Sequence, residues 1–166
     1  VDDAPVRVTA AQPARDAIVL TATADRPDVA EEGLARMRFA VGVDDDLRDF
    51  HERFRHDPLI GPSVRADPGL RPARTPDPFQ ALVWAVCEQL IEYRRAVAIE
   101  RALLRHLGRT APGGDLRDVP SAATLAAVAP ARLQALDLSG GRARALVRAA
   151  REVAAGRVPL DPGSAD

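Results

Sequence analysis

Apolar positions follow two periods along this chain, and the change from one to the other divides it. Val6-Arg7-Val8-Thr9-Ala10 and Ala17-Ile18-Val19-Leu20-Thr21-Ala22-Thr23 are runs rich in β-branched residues, separated by Gln12-Pro13-Ala14-Arg15-Asp16. They predict two strands joined by a short loop. Two strands are marginal alone, so a helix capped by Asp28, with Val29, Leu34, Met37 and Phe39 or Val41 inward, is expected to cover one face. Asp44-Asp45-Asp46 opens a further helix with Leu47, Phe50 and Phe54 inward, its acidic start complementing the helix dipole. From Asp57 to Pro78 the chain is dense in proline and glycine and reads as a linker over 58–77, with one helical turn at Leu59-Ile60.

Beyond Pro78 the period is helical. Asp77 caps and Pro78 starts a helix on which Phe79, Leu82, Val83, Val86 and Leu90 share a face. After Tyr93 a second long helix carries Ala96, Ile99, Leu103 and Leu107 and ends at Gly108, and Thr110 to Asp118 reads as a loop. Ser121 caps a short helix with Leu125 and Val128, and Pro130 starts another with Leu133 and Leu136. Ser139 caps a last helix with Ala143, Leu146, Ala149, Ala150 and Val153, before Gly156. Phe79, Leu82, Val83, Val86, Ile99, Leu103 and Leu146 are expected to be buried, and no strand is expected after Pro78. The fold class is mostly α with a small β part (α+β): a partial antiparallel β/α subdomain over 1–57, the linker, a helical bundle over 78–160 and a tail over 161–166.

Composition narrows the chemistry. A chain of 166 residues with 46% hydrophobic residues has enough for a core. No apolar run approaches the roughly 20 residues of a membrane span, and Val1-Asp2-Asp3 lacks the pattern of a signal peptide, so a cytoplasmic protein is expected. Cys87 is the only cysteine, which excludes an internal disulfide and a cysteine-rich zinc site and leaves a buried thiol in an apolar helix. All 23 Lys and Arg positions are arginine, so lysine Schiff-base chemistry is excluded within this sequence. His51, His56 and His106 have no metal spacing, Asp44 to Asp46 lack the glycine and glutamate of a calcium loop, and no serine lies in a Gly-x-Ser-x-Gly context. No metal and no cofactor is expected.

The net charge of −1 is unpromising for a nucleic-acid ligand, but its distribution is uneven. Residues 1–57 hold 8 arginines against 13 acidic residues, and residues 58–166 hold 15 against 11, so a polyanion would meet the second part. The other reading of the same charges is solvated helix faces throughout. Arg94, Arg95, Arg101, Arg105 and Arg109 form the densest basic stretch, its charge interrupted by Glu92 and Glu100.

Asp77-Pro78-Phe79-Gln80-Ala81-Leu82-Val83-Trp84-Ala85-Val86-Cys87-Glu88-Gln89 runs into the junction Leu90-Ile91-Glu92-Tyr93, and is followed by Pro120-Ser121-Ala122-Ala123-Thr124-Leu125 and Leu136-Asp137-Leu138-Ser139-Gly140-Gly141-Arg142-Ala143. This order resembles the helix-hairpin-helix DNA glycosylase superfamily over roughly Arg7 to Leu160, in particular bacterial 3-methyladenine DNA glycosylases of type II. The resemblance implies a helical bundle that grips duplex DNA through the minor groove, inserts an apolar wedge and flips the damaged base. It places Leu90 at the wedge position beside Gln89, with Arg94 and Arg95 flanking. Glu88 and Glu92 stand where the family has a small residue and a serine. Leu90 has a second reading, as a core leucine closing its stripe. Ser139-Gly140-Gly141-Arg142 likewise reads either as a plain N-cap or as an anion site built from Gly140, Gly141 and Arg142.

In the family, a catalytic aspartate follows a glycine-rich hairpin, both after the helix matched by 141–156. Residues 161–166 carry no hairpin pattern, so neither Asp161 nor Asp166 is assigned and no catalytic residue is named. The resemblance thus implies hydrolytic excision of alkylated purines of the 3-methyladenine type from double-stranded DNA by a monomeric, monofunctional enzyme longer than this chain, the segment alone being inactive. The other class is a non-catalytic helical module that binds DNA or a protein.

Overall fold

A computed structural model describes residues 4–111 and 113–160; the expected tail, with Asp161 and Asp166, lies outside the described residues. Two compact units are formed, Val6–Pro76 and a helical one that groups Val1–Pro5 with Asp77–Asp166.

In the first unit, β1 (Val6–Ala14) and β2 (Ala17–Ala24) pair antiparallel with Val6 opposite Ala24 and Thr9 opposite Thr21, and the register slips between Ala11 and Ala14. Helix α1 (Pro27–Val41) packs on this hairpin through Gly33, where a Cβ would come within 2.7 Å of Val6 Cγ2. Asp28 does not cap it, contrary to expectation. Arg26 holds the N-cap position and Asp28, one residue inside, pairs with the Arg26 guanidinium. Asp44 to Asp46 do not open α2 (Arg48–Phe54) as its first turn either; Leu47 is the N-cap and the Asp46 carboxylate accepts from the Arg48 N–H at 3.0 Å. Phe50, expected inward, is 44% exposed and rests against the Phe54 ring, 4.9 Å between centroids. The proline-rich stretch contains α3 (Gly61–Ala66), prepared by Asp57, whose carboxylate accepts from the Leu59 and Ile60 N–H groups at 2.8 and 3.0 Å.

The helical unit is α4 (Pro78–Glu88), α5 (Tyr93–Leu107), α6 (Ala122–Ala126), α7 (Pro130–Gln134) and α8 (Gly140–Ala154). Asp77, Ser121 and Ser139 each accept a backbone N–H of the first turn that follows, as the sequence indicates. One contiguous core joins Phe79, Val83 and Cys87 of α4 to Ile99 and Leu103 of α5, Leu125, Leu133, and Leu146, Val147 and Ala150 of α8. Leu82 and Val86, expected to be buried, sit half-buried at its margin. A two-residue ladder, β3 (Arg109–Thr110) with β4 (Arg117–Asp118), corrects the expectation of a bare loop and of no strand after Pro78. Gly108 explains it. Helix α5 ends there in extended backbone (φ −66°, ψ 149°), and a Cβ would lie 2.6 Å from the Asp118 carbonyl oxygen, so only glycine lets the returning chain close on the helix end.

Candidate nucleic-acid interface

The junction between α4 and α5 is a tight turn. Gln89 leaves the helix at φ −55°, ψ 115°, Leu90 takes the left-handed conformation at φ 55°, and the Ile91 N–H returns to the Glu88 carbonyl at 3.3 Å. The Glu92 carboxylate then caps α5 by accepting from the Arg94 N–H at 3.3 Å. Leu90 is 97% exposed. The expectation that it continues the buried face of α4 is therefore corrected: that face ends at Cys87, because the helix stops at Glu88 and the next residues turn away. A left-handed backbone costs a leucine about 1–2 kcal/mol, and leaving its side chain in water forgoes about 1.5–3 kcal/mol of burial. Two unfavourable choices coincide at one residue.

The turn is braced from the far end of the sequence. Arg142 Nη1 donates to the Cys87 carbonyl at 3.2 Å, satisfying an acceptor in the last turn of α4 where intrahelical partners run out. Arg95 Nε and Nη2 donate to the two carboxylate oxygens of Asp137 at 2.7 Å each, and Asp137 itself is left-handed, at φ 73°. That guanidinium, with Arg142 beside it, holds the Asp137 carboxyl below its ordinary pKa. The starts of α5 and α8 are thereby gathered with the Leu90 turn at one end of the unit.

The sequence candidates sort accordingly. Gln89 is exposed, and neither its side chain nor that of Arg94 has a partner among the described residues. Arg95 is engaged by Asp137 and Arg109 by Asp118. Gly140 and Gly141 form the first turn of α8, where Ser139 Oγ accepts from the Arg142 N–H at 3.4 Å; a Cβ on Gly141 would meet nothing within 4 Å, so that surface is open. Arg142 points its guanidinium at α4. Glu92 serves as a helix cap, while Glu88 lies close enough to Glu100 to add to the burial that raises the Glu100 pKa. Burial first, then Glu100, pushes the Cys87 thiol up to about 11.

Tyr93 carries no assignment from the sequence. It begins α5, is 67% exposed, and makes a T-shaped pair with Trp84, ring centroids 6.4 Å apart and planes at 90°. A lone aromatic has no period; its only signal is its place, directly after the capping Glu92. Among the described residues no group of three His, Cys, Asp or Glu side chains is placed to hold a metal ion, and no helix is long and apolar enough to cross a membrane.

No protein-family model and no curated protein matches this sequence. Solved structures do. A 3-methyladenine DNA glycosylase from Archaeoglobus fulgidus superposes with a TM-score of 0.79 at 17% identity, over 92% of this chain and 53% of that one. The fold is that of the DNA glycosylases. An 8-oxoguanine glycosylase/lyase from Clostridium acetobutylicum shares it at a TM-score of 0.68 and 18% identity, over 92% and 52% of the two chains. The same enzyme, solved with double-stranded DNA containing cytosine opposite 8-oxoguanine, gives 0.67 at 17% identity, over 92% and 51%. The chain spans about half the length of these structures, and the α+β architecture read from its sequence is the one they share.

Proposed function

We propose that this chain is the scaffold and wedge-bearing part of a DNA base-excision glycosylase, in which Leu90 enters the base stack as a damaged base is extruded. The single observation that carries this is Leu90 itself, 97% exposed in left-handed backbone at a braced helix junction, on a fold shared with DNA glycosylases. An apolar residue held rigidly at an element end is what unstacking a duplex requires. Gln89 and Arg94, both with unengaged side chains, flank it toward the duplex, and Arg95 and Arg142 hold the turn. The reaction in this reading is hydrolysis of the N-glycosidic bond of alkylated purines of the 3-methyladenine type, through an oxocarbenium-like state that a carboxylate stabilises. The neighbours' roughly double length supports placing that carboxylate in a longer enzyme.

The test compares excision from methylated duplex and methylated single strands by the longer enzyme and its Leu90→Ala variant. Duplex excision is expected to fall at least about ten-fold and single-strand excision to stay, because only the duplex must be unstacked. Equal loss on both substrates overturns the wedge role. An enzyme that binds duplex DNA but releases no base from it favours a non-catalytic DNA-binding module.

A further inference from the structure

We infer that Tyr93 is a stacking platform for the nucleobase left without a partner when the opposite base is extruded, so that the turn offers a clamp of two residues. The inference rests on the wedge reading of Leu90. Among the described residues of the helical unit the two most exposed large apolar side chains are Leu90 at 97% and Tyr93 at 67%, ahead of Leu116 at 49% and Val158 at 44%. They lie three residues apart in one turn, closed by the Glu92 cap.

Their chemistries are complementary. Extruding a base leaves a gap, which an aliphatic side chain fills, and an orphaned base, whose flat face an aliphatic side chain covers poorly. An aromatic ring covers it well, and does so for any base, since each presents a π-face. Tyr93 suits this because its ring is already oriented. The half-buried Trp84 on α4 receives it in a T-shaped contact at 6.4 Å, a favoured geometry for an aromatic pair that fixes the ring while leaving two-thirds of it in water. The neighbouring Arg94, without a side-chain partner among the described residues, adds the charge that a nearby phosphate would meet.

The chain contains one tryptophan and one tyrosine, and they are this pair, so Trp84 emission reports directly on its neighbour. The full chain is titrated with a duplex carrying an abasic-site analogue opposite 2-aminopurine, and with the same duplex intact. Expected is a preference for the abasic duplex, quenching of 2-aminopurine as it stacks, and a change in Trp84 emission. Tyr93→Phe keeps all three. Tyr93→Leu, which keeps an apolar side chain, is expected to lose about 5- to 160-fold of affinity for the abasic duplex, the range of one base–aromatic stack, together with the quenching. Its thermal midpoint is expected to fall by no more than a few degrees, the loss of one aromatic pair on a largely exposed residue, and this is measured alongside. Unchanged preference and quenching in Tyr93→Leu, with both lost in Leu90→Ala, overturns the Tyr93 role and leaves the wedge standing. No preference for the abasic duplex in the unaltered chain overturns the two-residue clamp, while the wedge itself stands or falls on the excision test with the longer enzyme.

Discussion

Leu90 occupies a backbone conformation that glycine adopts freely, at a site where a polar side chain would be better solvated. Leu90→Gly would relieve about 1–2 kcal/mol of strain, offset by up to about 1 kcal/mol from the freer unfolded chain. Its thermal midpoint is therefore expected to match or exceed the parent's. A leucine truncated inside a core loses about 2–5 kcal/mol instead, so a fall of that size in a melting experiment would place Leu90 among packed neighbours.

Cys87 is the opposite case, a fully buried residue with ordinarily reactive chemistry. With its pKa raised from 9.0 to about 11, the thiolate fraction at neutral pH is roughly 100-fold below that of a free thiol, and thiol reagents are expected to modify it only on unfolding. Between about pH 9 and 11 the native state retains a proton that the unfolded chain releases. Stability should accordingly decline as pH rises through that window.

At the scale of elements, the junction depends on a contact between residues 55 apart in sequence, Arg142 to the Cys87 carbonyl. Arg142→Met keeps the aliphatic stem and removes the donor, so a loss of about 1 kcal/mol is expected. Arg142 also draws the Cys87 pKa downward, and its removal should move thiol ionisation to still higher pH. A pH titration of the thiolate's ultraviolet absorbance in the folded chain, which needs no reagent to reach the buried sulfur, checks both residues at once, and an unaltered profile would show that the guanidinium does not sit over the end of α4.

The same contact explains which elements could be read from sequence. The buried faces of α4, α5 and α8 repeat every three or four residues, and the caps at Asp77, Ser121 and Ser139 act within a turn, so local pattern suffices. The end of α4 is different. Leu90 continues the apolar period of Phe79, Val83 and Cys87, and the helix stops under influences the period does not contain: a cap belonging to the next helix and a donor on α8. Gln89 and Leu90 are legible through the resemblance, whereas Tyr93 is marked only by its place after Glu92, and Asp137 by no periodicity at all. The β3–β4 ladder escaped because two residues per strand form no alternation; the constraint lies in Gly108, whose missing Cβ matters only once Asp118 has folded back.

The molecule as a whole is built unevenly. Among the described residues the helical unit buries a continuous set of large apolar side chains, whereas in Val6–Pro76 the fully buried positions are Gly33, Gly42 and Gly61. A core made where backbones approach one another, with no large side chain sealed inside, holds little apolar area to resist opening. Amide hydrogen exchange followed by mass spectrometry should therefore show two populations in the same sample. Peptides from α4, α5 and α8 are expected to take up deuterium only through rare, concerted unfolding, and those from α1 to α3 through frequent local openings. Matching protection in the two sets would mean that the chain unfolds as one cooperative body. The expected disparity has a practical meaning: partial unfolding of the first unit could occur while Leu90, Tyr93 and their braces keep their geometry.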